Sequence, residues 1–322
     1  MGRLLRFTAS ATAGAAVALV GTAIIVFAAI HLVPGGYADA MFPPQASQQV
    51  REAFTHRYGL DKPLPVQFEK WAAALLRGDL GTDLQADQPV GPEIASRAPA
   101  TIELTILGTL ATLLIGVPLG AVAALRARAR ITPVVTRAAA SLALAIPSFV
   151  LGTAVVYLAS LHIPGLSLGL YVPFTSNPAE NLKAIWLPSL VLGIGGAGLF
   201  ARATRDAVLS VLTQPFVTAA VARGESPLQI IRRHVLRNVA APLVVLTAVT
   251  IAGLLGGVVF IENIFSIPGL GQYALNAIQT RNYPQVEAVV VLGTLVFIVF
   301  SLLADLAHAL IDPRVSLAGR AS

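Results

Sequence analysis

The sequence predicts an all-α, polytopic membrane protein with six transmembrane helices and a small helical external segment after the first. Three observations predict it. Charged residues make up 12% of the 322 and hydrophobic residues 56%, with a mean hydropathy of +0.76, and a water-soluble body of this length needs far more polar surface. Six segments, near residues 8–32, 100–124, 132–161, 185–202, 239–261 and 286–310, are apolar over about 20 residues, enough to cross roughly 30 Å of hydrocarbon. Arginines gather on alternate connections between those segments, as they do on the cytoplasmic side of a membrane.

The first span follows Arg3 and Arg6 and looks like a signal sequence, but its apolar run exceeds the roughly 7–15 residues of a cleaved signal core. Residues 1–32 are therefore expected to be an uncleaved anchor. Residues 33–98 form the largest external segment, with Asp39, Glu52, Asp61, Glu69, Asp79, Asp83, Asp87 and Glu93 outnumbering its basic residues. A helix over 47–58 should end at Gly59. A second, over 64–77, puts Phe68, Trp71, Ala72 and Leu75 on one face, a stripe that reads as packing rather than ligand binding.

Residues 99–310 carry the other five spans. Arg126, Arg128, Arg130 and Arg137 cluster at one turn, and Arg202, Arg205, Arg223, Arg232, Arg233 and Arg237 at another. With Arg3, Arg6, Arg314 and Arg320 they fall on one side of a six-span path, which makes that side cytoplasmic and puts both termini inside, the tail 311–322 included. The external loop 163–183 carries no readable motif.

Acidic groups in or at the ends of spans are Glu103, Asp206, Glu262, Glu287 and Asp305. A charge at mid-bilayer costs at least about 2.5–3.5 kcal/mol, so each is expected at a cavity, a partner or the interface. Glu103, one turn into its span, reads as interfacial. Asp305 and His308, three residues apart, can pair on one helix face, a structural pair rather than a proton relay or metal site. Gly193, Gly195, Gly196 and Gly198 in the fourth span suit close helix packing and are compatible with bending. After the fifth span, Glu262 to Gly271 contains Pro268-Gly269, a turn signal. It is either an ordinary external turn or a segment that dips back to shape the mouth of a pathway, and the spacing does not choose. Glu262, Pro268, Gly269 and Asp305 are thus pathway or structural candidates.

The charge balance of +6 does not point to nucleic acid, because the basic residues are scattered among loops without an aromatic-basic stripe. No cysteine is present, which excludes disulfides, thiolate catalysis and cysteine metal sites; no metal site is expected. Lys62, Lys70 and Lys183 are the only lysines and none follows a glycine. A Gly-Lys-Ser/Thr phosphate loop is absent, so ATP hydrolysis by that route does not belong to this chain. No catalytic constellation appears either.

The polar, basic island 214–238 lies in a predicted cytoplasmic loop. Pro215 suits a first helical position and Gly224 a left-handed stop. Ser226 and Gln229 then form a capping box for a second short helix with Pro227 at its first position. The run Phe216-Val-Thr-Ala-Ala-Val-Ala-Arg-Gly224, followed by Ile231-Arg-Arg-His-Val-Leu-Arg-Asn238 and Pro242, resembles the EAA loop of ABC-importer permeases, and among them the dipeptide/oligopeptide branch. Thr218, Ala219, Ala220 and Gly224 fill the first part of the pattern. Thr218 replaces the family-wide glutamate and Leu236-Arg237 stands where Leu-Pro is usual, both departures typical of the peptide branch. Tyr58-Gly-Leu-Asp-Lys-Pro-Leu-Pro65, Gly78-Asp-Leu-Gly81, Pro99-Ala-Thr-Ile-Glu103, the Glu262–Gly271 run, Asp305 and Asp312-Pro-Arg314 resemble the first permease of a peptide-importer pair, so the likeness covers nearly the whole chain.

The resemblance implies six transmembrane helices of the type I ABC importer kind in a bacterial inner membrane. It implies a second, related permease, two ABC ATPase subunits or domains that bind the ATP, and an external solute-binding protein; no cofactor is held by this chain. Phe216, Thr218, Ala219, Ala220, Arg223, Gly224, Arg232 and Arg233 are the implied ATPase-coupling residues. The small alanines allow close approach, and the arginines are available to acidic partner residues. Substrates of such permeases include dipeptides, oligopeptides, glutathione and nickel complexes. An autonomous channel or secondary transporter, the alternative, should show inverted repeats or a paired mid-membrane ion site, and the sequence has neither.

Overall fold

In hydrocarbon every backbone N–H and C=O must be paired within the protein, so apolar stretches of this length become helices. The computed structural model describes residues 2–32, 42, 46–127, 129, 131–162 and 171–311, without the side chains of 2–11, 132, 133, 255 and 305–311. Helix α1 is Gly2–His31, α2 Gln48–Arg57, α3 Leu64–Leu76, α4 Val90–Leu125, α5 Thr132–Ala145, α6 Ser148–His162 and α7 Pro178–Leu212. After these come α8 Pro215–Ala222, α9 Pro227–Ile230, a π turn Ile231–Val235, α10 Leu236–Ile264, α11 Leu270–Gln279 and α12 Tyr283–Ile311. A two-strand hairpin, β1 Thr82–Asp83 against β2 Gln88–Pro89, is antiparallel with Thr82 opposite Pro89.

Among the described residues five helices are long and apolar enough to cross a membrane, and six crossings result if one bent pair counts as a span. That pair corrects the third predicted span. Residues 132–161 are not one helix; α5 and α6 meet at a 95° bend. Pro147 supplies the reason, since proline lacks the N–H that would continue the ladder and pushes the residue before it out of the helical region. Ile146 accordingly has ψ of 115°. Two further boundaries move outward. Helix α4 starts at Val90 rather than near 100, and α7 covers 35 residues where the hydropathy marked 185–202, because polar first and last turns extend a helix without adding apolar signal.

The described chain divides into two compact units, Met1–Ala100 with Pro268–Ile298, and Thr101–Ile267 with Val299–Ser322. In the first, Phe27 of α1 stacks on His31 at 4.0 Å between ring centroids and meets Phe68 edge-on at 5.3 Å, with Trp71 at 5.7 Å. The Phe68/Trp71 face of α3 is therefore a packing face. Gly59, with φ of +66°, follows the end of α2 in the left-handed conformation that only glycine adopts without strain. The hairpin is held by Asp83, whose Oδ1 accepts from the Gln85 and Ala86 N–H groups and from Asn282 Nδ2 at 2.6 Å, while Oδ2 accepts from Gln285 Nε2 at 2.7 Å. Val90, Ile94, Tyr273 and Ala288 form an apolar cluster beside it. Glu287 is buried, with Oε1 3.7 Å from His31 Nδ1. Burial pushes the Tyr273 phenol up to about 12.

In the second unit glycines set the helix spacing. A Cβ added at Gly116 would lie 2.7 Å from Ala197 O, and one at Gly193 would lie 2.9 Å from Thr112 N, distances no real Cβ tolerates. Thr112 Oγ1 donates to Gly193 O at 3.1 Å across the same α4–α7 contact. Gly196 faces Thr112 and Gly198 faces the backbone of Ala140 in α5, whereas Gly195 has ordinary clearance. Close approach is thus the role of three of the four fourth-span glycines.

Candidate coupling surface

Gln214 enters α8 in an extended conformation, and Pro215 at the first position needs no hydrogen-bond partner for the N–H it lacks. Residues 217 and 220, three apart, share a helix face, and both are buried. They join Ala124, Val208, Ile230, Val235 and Val239 in one apolar cluster, so α8 is fastened to α7 and to the α9–α10 stretch. The opposite face is open. Phe216 is 42% exposed and Val221 58%, with Thr218, Ala219 and Ala222 exposed between them.

Gly224 ends α8 with φ of +82° and nothing within 4 Å of a Cβ built on it. Conformation rather than space demands glycine there. Ser226 then accepts from the Gln229 N–H at 3.4 Å and Gln229 Oε1 accepts from the Ser226 N–H at 2.8 Å, the reciprocal capping box. The second short helix read in the island is not separate. Helix α9 runs through the π turn into α10 without a break, because no residue from Leu228 to Ala241 is a helix breaker. The capping box starts the fifth span itself.

The sequence-predicted residues separate by exposure. Phe216, Thr218, Ala219, Arg223, Gly224, Arg232 and Arg233 lie at the surface, while Ala220 has none of its area exposed and packs inward. Arg223 Nη2 donates to Glu225 Oε1 at 2.8 Å. Arg232 and Arg233 have no partner among the described residues.

Glu225 is the residue that sequence reasoning missed. Its second oxygen, Oε2, lies 3.0 Å from His234 Nε2, where a ring N–H donates to it. The His234 ring in turn meets Phe216 with centroids 5.9 Å apart. Arg223 and then His234 hold the Glu225 carboxyl below the usual carboxylate range. Glu225 and His234 are nine residues apart on either side of a turn, a separation that no helical period signals.

Of the pathway candidates, Glu262 is completely buried in α10 and accepts from Thr101 Oγ1 at 2.6 Å, a partner that separation of 161 residues concealed. The chain then turns: Ile267 N–H donates to Glu262 O at 2.8 Å and Ser266 has φ of +53°. Pro268 is exposed, and Gly269 is the buried residue that precedes α11. Between the two sequence alternatives, the segment after the turn is a ten-residue helix, α11, too short to cross. Glu103, read as interfacial, has two partners: Tyr171 OH and Asn181 Nδ2 both donate to its Oε2, at 2.9 and 3.0 Å. The side chains of Asp305 and His308, and residues 312–322 with Asp312, Arg314 and Arg320, lie outside the described residues, as do Arg128, Arg130, the side chains of Arg3 and Arg6, and the stretch 163–170.

Residues 116–317 match the family described as binding-protein-dependent transport system inner membrane component, and residues 4–105 match its N-terminal membrane-component family. A probable peptide ABC transporter permease of Sinorhizobium fredii is 32% identical over 94% of this chain and 95% of its own length. The glutathione transport system permease GsiC of Salmonella choleraesuis is 34% identical, over 91% and 93%. The oligopeptide transport system permease AppB of Bacillus subtilis is 31% identical, over 92% and 95%. A solved structure of the MetNI methionine ABC transporter, inward facing, superposes with a TM-score of 0.56 at 20% identity, covering 68% of this chain and 96% of that one.

Proposed function

We propose, for a chain that belongs to the family of binding-protein-dependent transport system inner membrane components, that α8 and the turn after it receive the motion of a partner ATPase. The chain is a permease subunit of a binding-protein-dependent importer of the ABC class. The 322 residues contain no Gly-Lys-Ser/Thr phosphate loop, so the nucleotide is bound by ATPase subunits or domains outside them. The observation that carries the reading is the two-sidedness of α8: Val217 and Ala220 bind it to its own chain, while Phe216, Thr218, Ala219, Val221 and Ala222 present a small, mostly apolar face with Arg223, Arg232 and Arg233 nearby.

A helix so placed transmits displacement. Its inward side chains touch α7, which precedes it, and Ile230 and Val235, which lead directly into α10. Nucleotide-driven closure of the ATPases would shift α8 and bias both helices between outward- and inward-facing arrangements. The loop and both termini are assigned to the cytoplasmic side of a bacterial inner membrane, with a second permease and an external binding protein completing the importer. Di- and oligopeptides are the proposed cargo, on the naming of the peptide permeases similar to it.

The test is reconstitution with the products of the genes that flank its own, expected to be an ATPase, a second permease and a binding protein. The expected result is retention of the ATPase through purification and uptake of a labelled dipeptide that stops without ATP. Uptake that persists without ATP, from a chain that retains no ATPase, would overturn the assignment. Within that system Gly224→Val should abolish coupled uptake while the chain still inserts, since a β-branched residue resists φ of +82°.

A further inference from the structure

The loop holds a polar contact that neither the docking face nor the membrane requires, and it ties the turn after α8 to the π turn that follows α9. Helix α8 has eight residues, of which two are buried, and leaves its chain neighbours through the single left-handed joint at Gly224. Such a short helix has few apolar contacts to resist rolling about its own axis. Glu225, next to that joint, reaches back to Arg223 with one oxygen and across to His234 with the other.

The π turn explains why His234 is available. In a regular helix residues four apart share a face, so His234 would follow buried Ile230 into the apolar cluster. The extra residue of Ile231–Val235 lets Ile230 and Val235, five apart, both enter it. His234 is thereby turned out of the cluster toward Glu225 and the Phe216 ring. Local π geometry of this kind often accompanies function. Phe216 lies in the first turn of α8 and Glu225 three residues past its end, so His234 meets residues on both sides of the helix from the start of the fifth span.

We propose that Glu225 and His234 form a latch that fixes the roll and position of α8 on the π turn, so that displacement of α8 is delivered to α10 instead of being lost at Gly224. They are positioning residues for transport and not docking contacts; the inference rests on the coupling role given above to α8. Without the latch α8 is still present to meet its partner, and the ATPase turns over with less movement of the spans.

The complete importer in proteoliposomes gives the readout, ATP hydrolysed per dipeptide imported. Glu225→Leu and His234→Leu are each expected to raise that ratio about tenfold, because a hydrogen bond to a charged group is removed. The double variant should be no worse than Glu225→Leu alone, since that single already cuts the Glu225–His234 contact together with the one to Arg223. His234→Gln keeps an N–H donor toward the carboxylate and should return the ratio to within about threefold of the parent. If the leucine variants do not insert, Glu225→Gln, which keeps the shape and removes the charge, should still raise the ratio about threefold. A parental ratio in Glu225→Gln and either leucine variant, independent multiplication of the two singles, or no recovery by His234→Gln would each overturn the latch. Ala219→Asp, on the outward face of α8, separates this from the underlying reading. Loss of ATPase retention there supports the docking face whatever the latch variants do, and full retention with a parental ratio sinks the docking face itself.

Discussion

At the scale of single residues, glycine does two different jobs in this chain, and substitution separates them. At Gly198 the neighbour is the Ala140 carbonyl at 2.5 Å from an added Cβ, with Leu144 and Ala143 close behind. Backbone cannot move aside as a side-chain tip can, so Gly198→Ala should overpack the α5–α7 contact and cost about 1–3 kcal/mol. A thermal scan in detergent, compared with Gly195→Ala where the nearest atom is 3.6 Å away, would expose the difference as a lower midpoint for the first and little change for the second. Gly224 is the converse case, an open site whose φ alone excludes side chains. The carboxylate next to it, Glu225, loses its charge only in acid. Its folded value is depressed by Arg223 and His234, so its contribution is present above the ordinary glutamate value near 4.3 and lost as pH falls through the lowered one. Glu225 therefore stays charged in assays between about pH 6 and 8, and a change in coupling over that range would not come from its protonation.

At the scale of elements, α8 shows how much a short sequence conveys and where it stops. The proline, the glycine and the capping box marked both of its limits and the start of the next helix, because each reports a local backbone constraint. Its faces were not legible. Thr218, Ala219, Ala220, Val221 and Ala222 are all small or apolar, and a helix with no polar side gives a period without a direction. Packing alone sets Ala220 inside and Ala219 outside. Exchanging the two positions for leucine makes this measurable. Ala220→Leu should crowd Val217 and Ile230 and destabilise the chain by about 1–3 kcal/mol, whereas Ala219→Leu should leave its thermal midpoint unchanged and weaken ATPase retention. Equal midpoints for both variants would mean that α8 is not seated as described. The same limit hid Thr101 from Glu262 and Glu103 from Tyr171 and Asn181, contacts closed by tertiary packing across tens of residues. The break at Pro147 was the opposite failure. The proline is plain in the sequence, yet hydropathy averaged across it and returned one span.

At the scale of the whole molecule that break decides on which side of the membrane the loop lies. Helix α5 has 14 residues and α6 has 15, about 21 and 22 Å at 1.5 Å per residue, each short of the roughly 30 Å hydrocarbon layer. If the pair crosses, residues 171–177 emerge opposite Arg126, and α7 then returns the chain so that 214–238 shares the arginine-rich side. If the pair instead turns back as a re-entrant hairpin, 171–177 emerges beside Arg126 and 214–238 is carried outside, where no ATPase can meet it. The arginine distribution favours the crossing: Arg126, Arg128, Arg130 and Arg137 gather at the start of the pair, whereas Lys183 is the one lysine or arginine between residues 163 and 183. The chain has no cysteine, so single cysteines can be read without background. Ser176→Cys, at an exposed position, should react with a membrane-impermeant maleimide in spheroplasts, and Arg232→Cys only after the membrane is inverted. Labelling of Ser176→Cys from the inside alone would make α5–α6 re-entrant and remove the ground for coupling at α8, since helix and ATPase would then face opposite sides of the bilayer.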